Sequence, residues 1–235
     1  MLKALCSYLR HLHRFWRYAS RTEHDSIAFI KSLDLHGTTV LDIGANYGIY
    51  TYWLSNCIGP NGTVVAFEAQ PELKHEIQNV VRMFKLKNID LRMIALSDKC
   101  GQTVLHRAKV GDGGGSIENE SSEHIESQSI NVTTVTLDSI KDTFQRPVRF
   151  VKCDVEGHES AVIDGSKQFL LEDKPTILIE IHQQHVPSIT AQLSELGFEG
   201  SFFSGSKRYP IIEFNEQPYR KDGEVHRNYI FEFTA

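Results

Sequence analysis

Leu41-Asp-Ile-Gly-Ala-Asn-Tyr-Gly48 constrains this chain more than any other stretch. A short apolar run, Thr39 to Ile43, meets a turn bearing Gly44 and Gly48, and a helix-like stretch from Tyr50 to Cys57 follows at once. A buried strand, a glycine turn and a helix start bring free backbone N–H groups to one point and let a ligand approach the chain closely. That arrangement favours an anion or a carboxylate. The spacing departs from the dinucleotide fingerprint G-x-G-x-x-G, because position 46 is Asn. Asp42, on the strand just before the turn, would repel a pyrophosphate. It would welcome the ammonium of a zwitterionic amino acid whose carboxylate meets the helix N-terminus. Gly44, Ala45, Asn46 and Gly48 are therefore expected to cradle an amino-acid-like ligand, with Asp42 beside it.

The pattern then repeats. Gly59-Pro-Asn-Gly62 is a strong turn, Thr63–Phe67 a second buried strand, and Pro71 to Phe84 a helix with proline near its first turn. Ile89 to Leu96 reads as a third strand. After an interruption, the spacing predicts a strand at Val148–Cys153, a helix at 160–171, a strand at Thr176–Ile181 and a helix at 188–196 capped by Gly197. Ile211–Phe214 and Asn228–Phe233 are further strand candidates. Strands alternating with helices argue for one doubly wound, mostly parallel α/β sheet over residues 36–235.

Two segments stand apart. Residues 1–35 form an N-terminal helical segment. Over 2–18, Leu2, Leu5, Leu9, Leu12, Phe15 and Trp16 recur at helical spacing among Lys3, Arg10, Arg14 and Arg17. Such a basic amphipathic helix either packs on the domain or makes a peripheral contact with a membrane. Residues 110–129 hold four glycines and many Ser and Glu residues, which suits a lid over a substrate or a plain solvated insertion. A formal net charge of −5 disfavours nucleic acid as a partner. The four cysteines, Cys6, Cys57, Cys100 and Cys153, are scattered without a C-x-x-C pair. They read as reduced thiols in a reducing, cytoplasmic setting. No apolar run approaches a membrane span, and no secretory signal is apparent.

Acids sit at the ends of the strands. Glu68 follows the second, where an acid can accept both hydroxyls of a ribose. Asp98 follows the third, where an acid can accept an adenine amino hydrogen. In sequence order, VLDIGANYGIYT (40–51), AFEAQPE (66–72), ALSD (95–98), VTLDS (135–139), FVKCDVEGHE (150–159) and ILIEIH (177–182) resemble the FkbM-type methyltransferases, and NYIF in the tail also fits. The resemblance covers about residues 38 to 182. It implies a seven-stranded, Rossmann-like methyltransferase sheet with an antiparallel last strand, and S-adenosyl-L-methionine as cofactor. It also implies methyl transfer to a hydroxyl of a sugar, glycan or small metabolite.

Such chemistry needs a nucleophile held in line with an activated methyl group, and a place for its proton. Asp154, Glu156, Glu180 and His182 follow two neighbouring strands, where ligands of such sheets bind. Asp154 is expected beside the methyl-bearing end of the cofactor. His182, whose side chain titrates near neutrality, is the natural proton acceptor, with Asp154 and Glu156 as the other candidates. Lys152, inside an apolar strand, is expected to pair with Glu180. His158 reads as a surface loop residue. The four acceptor-end groups suit a magnesium-like ion by chemistry, but no spacing demands a metal and none is expected. The rivals are a non-catalytic binding module of the same fold and an NAD-dependent nucleotide-sugar enzyme. The second lacks its third glycine and its Tyr-x-x-x-Lys pair.

Overall fold

The computed structural model describes residues 2–111, 115–117, 128–145, 147–205, 207–213 and 228–234. Helix α1 (Leu2–Arg17) runs into one π turn, Tyr18–Thr22, and then α2 (His24–Ser32). Next come β1 (Thr39–Ile43), α3 (Ile49–Ile58), β2 (Thr63–Phe67), α4 (Lys74–Met83), β3 (Ile89–Arg92), β4 (Ala95–Leu96), β5 (Gly101–Arg107) and β6 (Gln128–Val135). The chain continues through α5 (Leu137–Ile140), β7 (Val148–Cys153), α6 (Glu159–Asp164), α7 (Lys167–Asp173), β8 (Thr176–Glu180) and α8 (Val186–Glu195). It ends with β9 (Phe198–Ser204), β10 (Lys207–Pro210) and β11 (Asn228–Phe233).

The main sheet has the order β10-β9-β11-β8-β7-β1-β2-β3. From β3 to β8 all neighbours are parallel. β11 lies antiparallel between β8 and β9. This is the mostly parallel sheet with an antiparallel last strand that the sequence implies, extended by β10 as an extra edge strand. The chain order reverses between β1, which continues outward to β2, and β7, which continues the other way to β8. Side chains alternate between two buried faces. Leu41, Ile43, Val151, Cys153, Ile177 and Ile179 meet α6 to α8 through Val162, Phe169 and Ile189. Val40, Val64, Phe150 and Leu178 meet α2 and α3 through Ile30, Leu54 and Ile58. Burial on both faces is why these strands read as unbroken apolar runs.

Three expectations are corrected. The predicted strand 89–96 divides: β3 stops at Arg92, and Ala95–Leu96 pairs with β6 in a separate three-stranded sheet with β5. The predicted helix 160–171 breaks at Gly165, where a Cβ would lie 2.0 Å from the Ser97 carbonyl oxygen. Ile211–Glu213 is a single 3₁₀ turn, not a strand; Phe214 lies outside the described residues. Within the N-terminal segment, Phe15 stacks on Tyr52 of α3 at 4.4 Å between ring centroids. Ile27 and Ile30 of α2 are fully buried.

Candidate active site

At the carboxyl ends of β1, β2, β7 and β8 lies a cleft of about 360 Å³. Its floor is the turn after β1. The N–H groups of Gly44 and Ala45 both donate to the Phe67 carbonyl, at 3.0 and 2.9 Å. Gly44 has φ 82°, and a Cβ there would lie 1.8 Å from the Asp154 carbonyl oxygen. Glycine is thus required by the close approach of the β7 end, not by a ligand. Asn46 is also left-handed (φ 47°), and Gly48 at φ 75° precedes the first turn of α3. Gly44, Ala45 and Asn46 line the cleft; Gly48 shapes the helix start without lining it.

Glu68 ties this floor together. Its carboxylate is 5% exposed and accepts the N–H of Asn46 at 2.7 Å and of Gln70 at 2.8 Å. Burial raises its pKa above the usual carboxylate range, against those two hydrogen bonds. Each oxygen keeps a second lone pair, and the side chain lines the cleft, so the expected acceptance of two hydroxyls remains geometrically open.

Asp42 is placed differently from the expectation. It does not line the cleft; it points to the face of β1 covered by α3, is 1% exposed, and accepts the Thr51 hydroxyl at 2.5 Å. An ammonium in the cleft would not meet it. Burial raises its pKa to about 6, partly offset by Thr51 and by Lys152. Lys152, beside Asp42 in register on β7, is fully buried. Its Nζ lies 3.5 Å from Asp154 Oδ2 and 4.9 Å from the Tyr50 ring centroid. Burial opposes its charge, but the carboxylates of Asp154, Glu180 and Glu23 outweigh it and raise its pKa overall. Lys152 thus serves several acids, with Asp154 close by and Glu180 contributing through its field.

The acceptor end is built by the β7 and β8 tips. Asp154, Glu156 and Glu180 line the cleft. Glu156 has φ 51° and Gly157 φ 98°, the sharp turn expected here, and the Glu159 carboxylate braces it by accepting the Gly157 N–H at 3.0 Å. A left-handed glutamate stores backbone strain of a kind that clusters at functional sites. His182 does not itself line the cleft: its Nε2 is 3.7 Å from Glu156 Oε2, and its side chain is 45% exposed.

The opposite end is apolar, walled by Ile94, Ala95, Leu96, Leu105 and Ile117. His158 belongs here. It is buried, not a surface loop residue, and its Nε2 lies 3.0 Å from the Ser97 hydroxyl. Asp98 is brought to no such place. Because the chain leaves the main sheet after Arg92, Asp98 emerges exposed beyond the cleft and accepts the Ser97 hydroxyl at 3.0 Å. The described parts of the 110–129 loop do reach the cleft through Gly111, Gly115 and Ile117, while 112–114 and 118–127 lie outside the described residues. Gln70 Oε1 accepts both Arg107 Nη1 and the Gly111 N–H at 3.0 Å, and Arg107 also grips Glu72 with two nitrogens, at 2.7 and 3.0 Å.

The residues missed in the sequence come chiefly from the N-terminal segment. Arg14, Tyr18, Thr22 and Glu23 form one wall of the cleft. Glu23 Oε2 accepts from the Tyr50 hydroxyl and from Asn228 Nδ2, both at 2.8 Å. No local motif marks Glu23, since its partners lie 27 and 205 positions away.

The family model described as the methyltransferase FkbM domain matches residues 42–199, well over half of the chain. The chain belongs to the FkbM methyltransferase family. Among solved structures, the FkbM methyltransferase of Methylobacillus flagellatus KT aligns over 85% of this chain at 14% identity, with a TM-score of 0.58. This chain spans only 45% of that one. A putative rRNA-methylase from Clostridium thermocellum aligns over 89% of this chain and 94% of its own, at 12% identity and TM-score 0.55. A putative methyltransferase from Streptococcus mutans, solved in complex with SAH, aligns over 91% and 98%, at 12% identity and TM-score 0.54. At such identities the likeness is one of fold. No curated protein matches the chain significantly.

Family membership makes this chain a methyltransferase, and S-adenosyl-L-methionine is the cofactor that the sequence resemblance implies. The residues present fit that group. The buried Glu68 carboxylate suits a pair of ribose hydroxyls, the wall of Ile94–Leu96, Leu105 and Ile117 suits a flat base, and the acidic end at Asp154 and Glu156 suits a cationic sulfonium and ammonium.

Proposed function

We propose that this FkbM-family chain methylates a hydroxyl oxygen on a sugar, a glycan or a small metabolite. The observation that carries the reading is the convergence of Asp154, Glu156 and Glu180 on the cleft, with His182 behind Glu156 at 3.7 Å. The cofactor supplies a methyl group already activated on sulfur, so the chain has two tasks. It holds the acceptor in line, and it gives the hydroxyl proton a destination. Asp154, anchored by Lys152 at 3.5 Å, would face the positive end of the bound cofactor and orient it. The proton of the attacking hydroxyl passes to Glu156, whose side chain lines the cleft, and from there to His182, whose Nε2 lies 3.7 Å from it. With the cofactor bound, the new C–O bond would form as the S–CH₃ bond breaks, and the neutral thioether would leave. The acidic lining disfavours a polyphosphate in the same place, which argues against an NAD-dependent reading.

The test is incubation with isotopically labelled S-adenosylmethionine and a glycan and metabolite pool, followed by mass spectrometry. A labelled O-methyl product is expected. Turnover of His182→Ala should fall at least about tenfold, within the range of a lost general base. Its cofactor affinity should persist. A product labelled on nitrogen or carbon would overturn the hydroxyl reading, and full turnover in both His182→Ala and Glu156→Gln would overturn the proton route.

A further inference from the structure

Helix α1 is fastened to the domain by only part of its circumference. Phe15 is 1% exposed, stacks on Tyr52, and lies 5.3 Å from the Phe84 ring; Tyr8 meets Phe84 at 5.1 Å. About a quarter-turn around the helix, Leu9, Leu12 and Trp16 form a separate stripe. They are 53%, 38% and 58% exposed. With Phe15, Tyr52 and Trp53 they rim a shallow, largely apolar groove of about 460 Å³. Lys3, Arg10, Arg14 and Arg17 share this helix, and no Asp or Glu occurs before Glu23. The whole chain nevertheless carries a net charge of −5. Arg14 turns to the cleft and stacks on Tyr47; Arg10 and Arg17 remain exposed on the outer side of the helix, about a third of a turn from the stripe.

We propose that this face of α1 docks on the surface of an anionic lipid bilayer. Charge decides between occupants. A second copy would bring two uncompensated basic helices together, which like-charge repulsion opposes. An anionic bilayer supplies an apolar boundary for Leu9, Leu12 and Trp16 and counter-charges for Arg10 and Arg17 at the flank of that stripe. Tryptophan at a helix surface suits the headgroup level. No described helix is long and apolar enough to cross a membrane, so the contact is one of lying on the surface. The proposal is independent of which hydroxyl is methylated.

The test uses the full chain and two vesicle preparations, phosphatidylcholine alone and phosphatidylcholine with about a third phosphatidylserine, in co-sedimentation at low and raised salt. Binding to the anionic vesicles is expected to exceed binding to the neutral ones by at least about tenfold and to weaken with salt. Leu9→Ser/Trp16→Ser and Arg10→Glu/Arg17→Glu should each abolish most of it while S-adenosylmethionine affinity, measured in the same samples, stays unchanged. None of these four side chains lines the cleft, so retained cofactor binding certifies the fold. Equal binding to both vesicle types, or binding unaltered in either variant, overturns the proposal. So does a dimer that Leu9→Ser/Trp16→Ser dissociates while vesicles capture nothing, which would assign the stripe to a second copy.

Discussion

Replacing Asp42 by asparagine separates charge from shape beneath the cleft floor. The amide oxygen can still accept the Thr51 hydroxyl that Asp42 accepts at 2.5 Å, so packing is nearly preserved. What disappears is the ionisation of a carboxyl that is 1% exposed. Burial raises the Asp42 pKa from 3.8 to about 6. An acid whose folded-state pKa lies above its unfolded value keeps its proton longer when folded. Its relative stability is full below about pH 4 and is lost as pH rises through about 6. The whole loss corresponds to about 3 kcal/mol, of which about 1 kcal/mol falls between pH 5 and 7. Asp42→Asn carries no such loss. The assay is urea unfolding of both proteins at several pH values from 5 to 8, with the difference in unfolding free energy as the readout. The variant is expected to gain on the native chain by about 1 kcal/mol from pH 5 to 7 and then hold level. A difference that does not vary with pH would show that Asp42 does not titrate in this window and that burial does not govern it.

Glu68→Ala is expected to weaken S-adenosylmethionine binding by about 1–3 kcal/mol in calorimetry, the range for losing a charged acceptor. Glu68→Gln should lose less, because one carbonyl oxygen remains to hold the Asn46 or Gln70 N–H. Lys152→Met leaves the neighbouring acids uncompensated and should destabilise the fold by about 3–5 kcal/mol. Lys152→Met/Glu180→Gln should recover part of that in denaturant titration; strict additivity would mean that the two do not interact. Arg107→Ala should release the segment up to Gly111 from Gln70 and Glu72. Faster amide exchange at 108–111 and a raised dissociation constant for the cofactor are the signatures, and unchanged exchange would show that the clamp is idle.

The parts of the fold that were legible are those where local chemistry is one-sided. β1, β2, β7 and β11 match the sequence limits residue for residue, and β8 ends one residue early, because burial on both faces leaves continuous apolar runs. β9 went unread. Phe198-Glu-Gly-Ser-Phe-Phe-Ser204 follows a helix cap and contains Gly200, which looks like a breaker. A Cβ at Gly200 would lie 2.7 Å from the Phe231 ring of the adjoining strand, a demand visible only in three dimensions. The direction of Asp42 was hidden for the same reason that β1 was easy to find: when both faces are covered, apolar neighbours do not say which side an acid takes. Asp98 was misplaced because Ile89 to Leu96 is continuous in character but divides between two sheets. His158 and Glu23 carry no local signal, since burial of the first and the cleft position of the second arise from contacts distant in sequence. Glu68, Asp154 and Glu156 were legible because a strand tip in a doubly wound sheet points at the ligand crevice.

The central claim is that the floor from Gly44 to Asn46, with Glu68 and the acidic tips of β7 and β8, forms an S-adenosylmethionine site. Isothermal titration of the full chain with S-adenosylmethionine, and in parallel with NAD, tests it most directly. Saturable binding of one S-adenosylmethionine per chain, at a dissociation constant on the order of micromolar, with no comparable heat from NAD, is the expected result. Binding of NAD in preference, or no binding of S-adenosylmethionine by the folded chain, would contradict it.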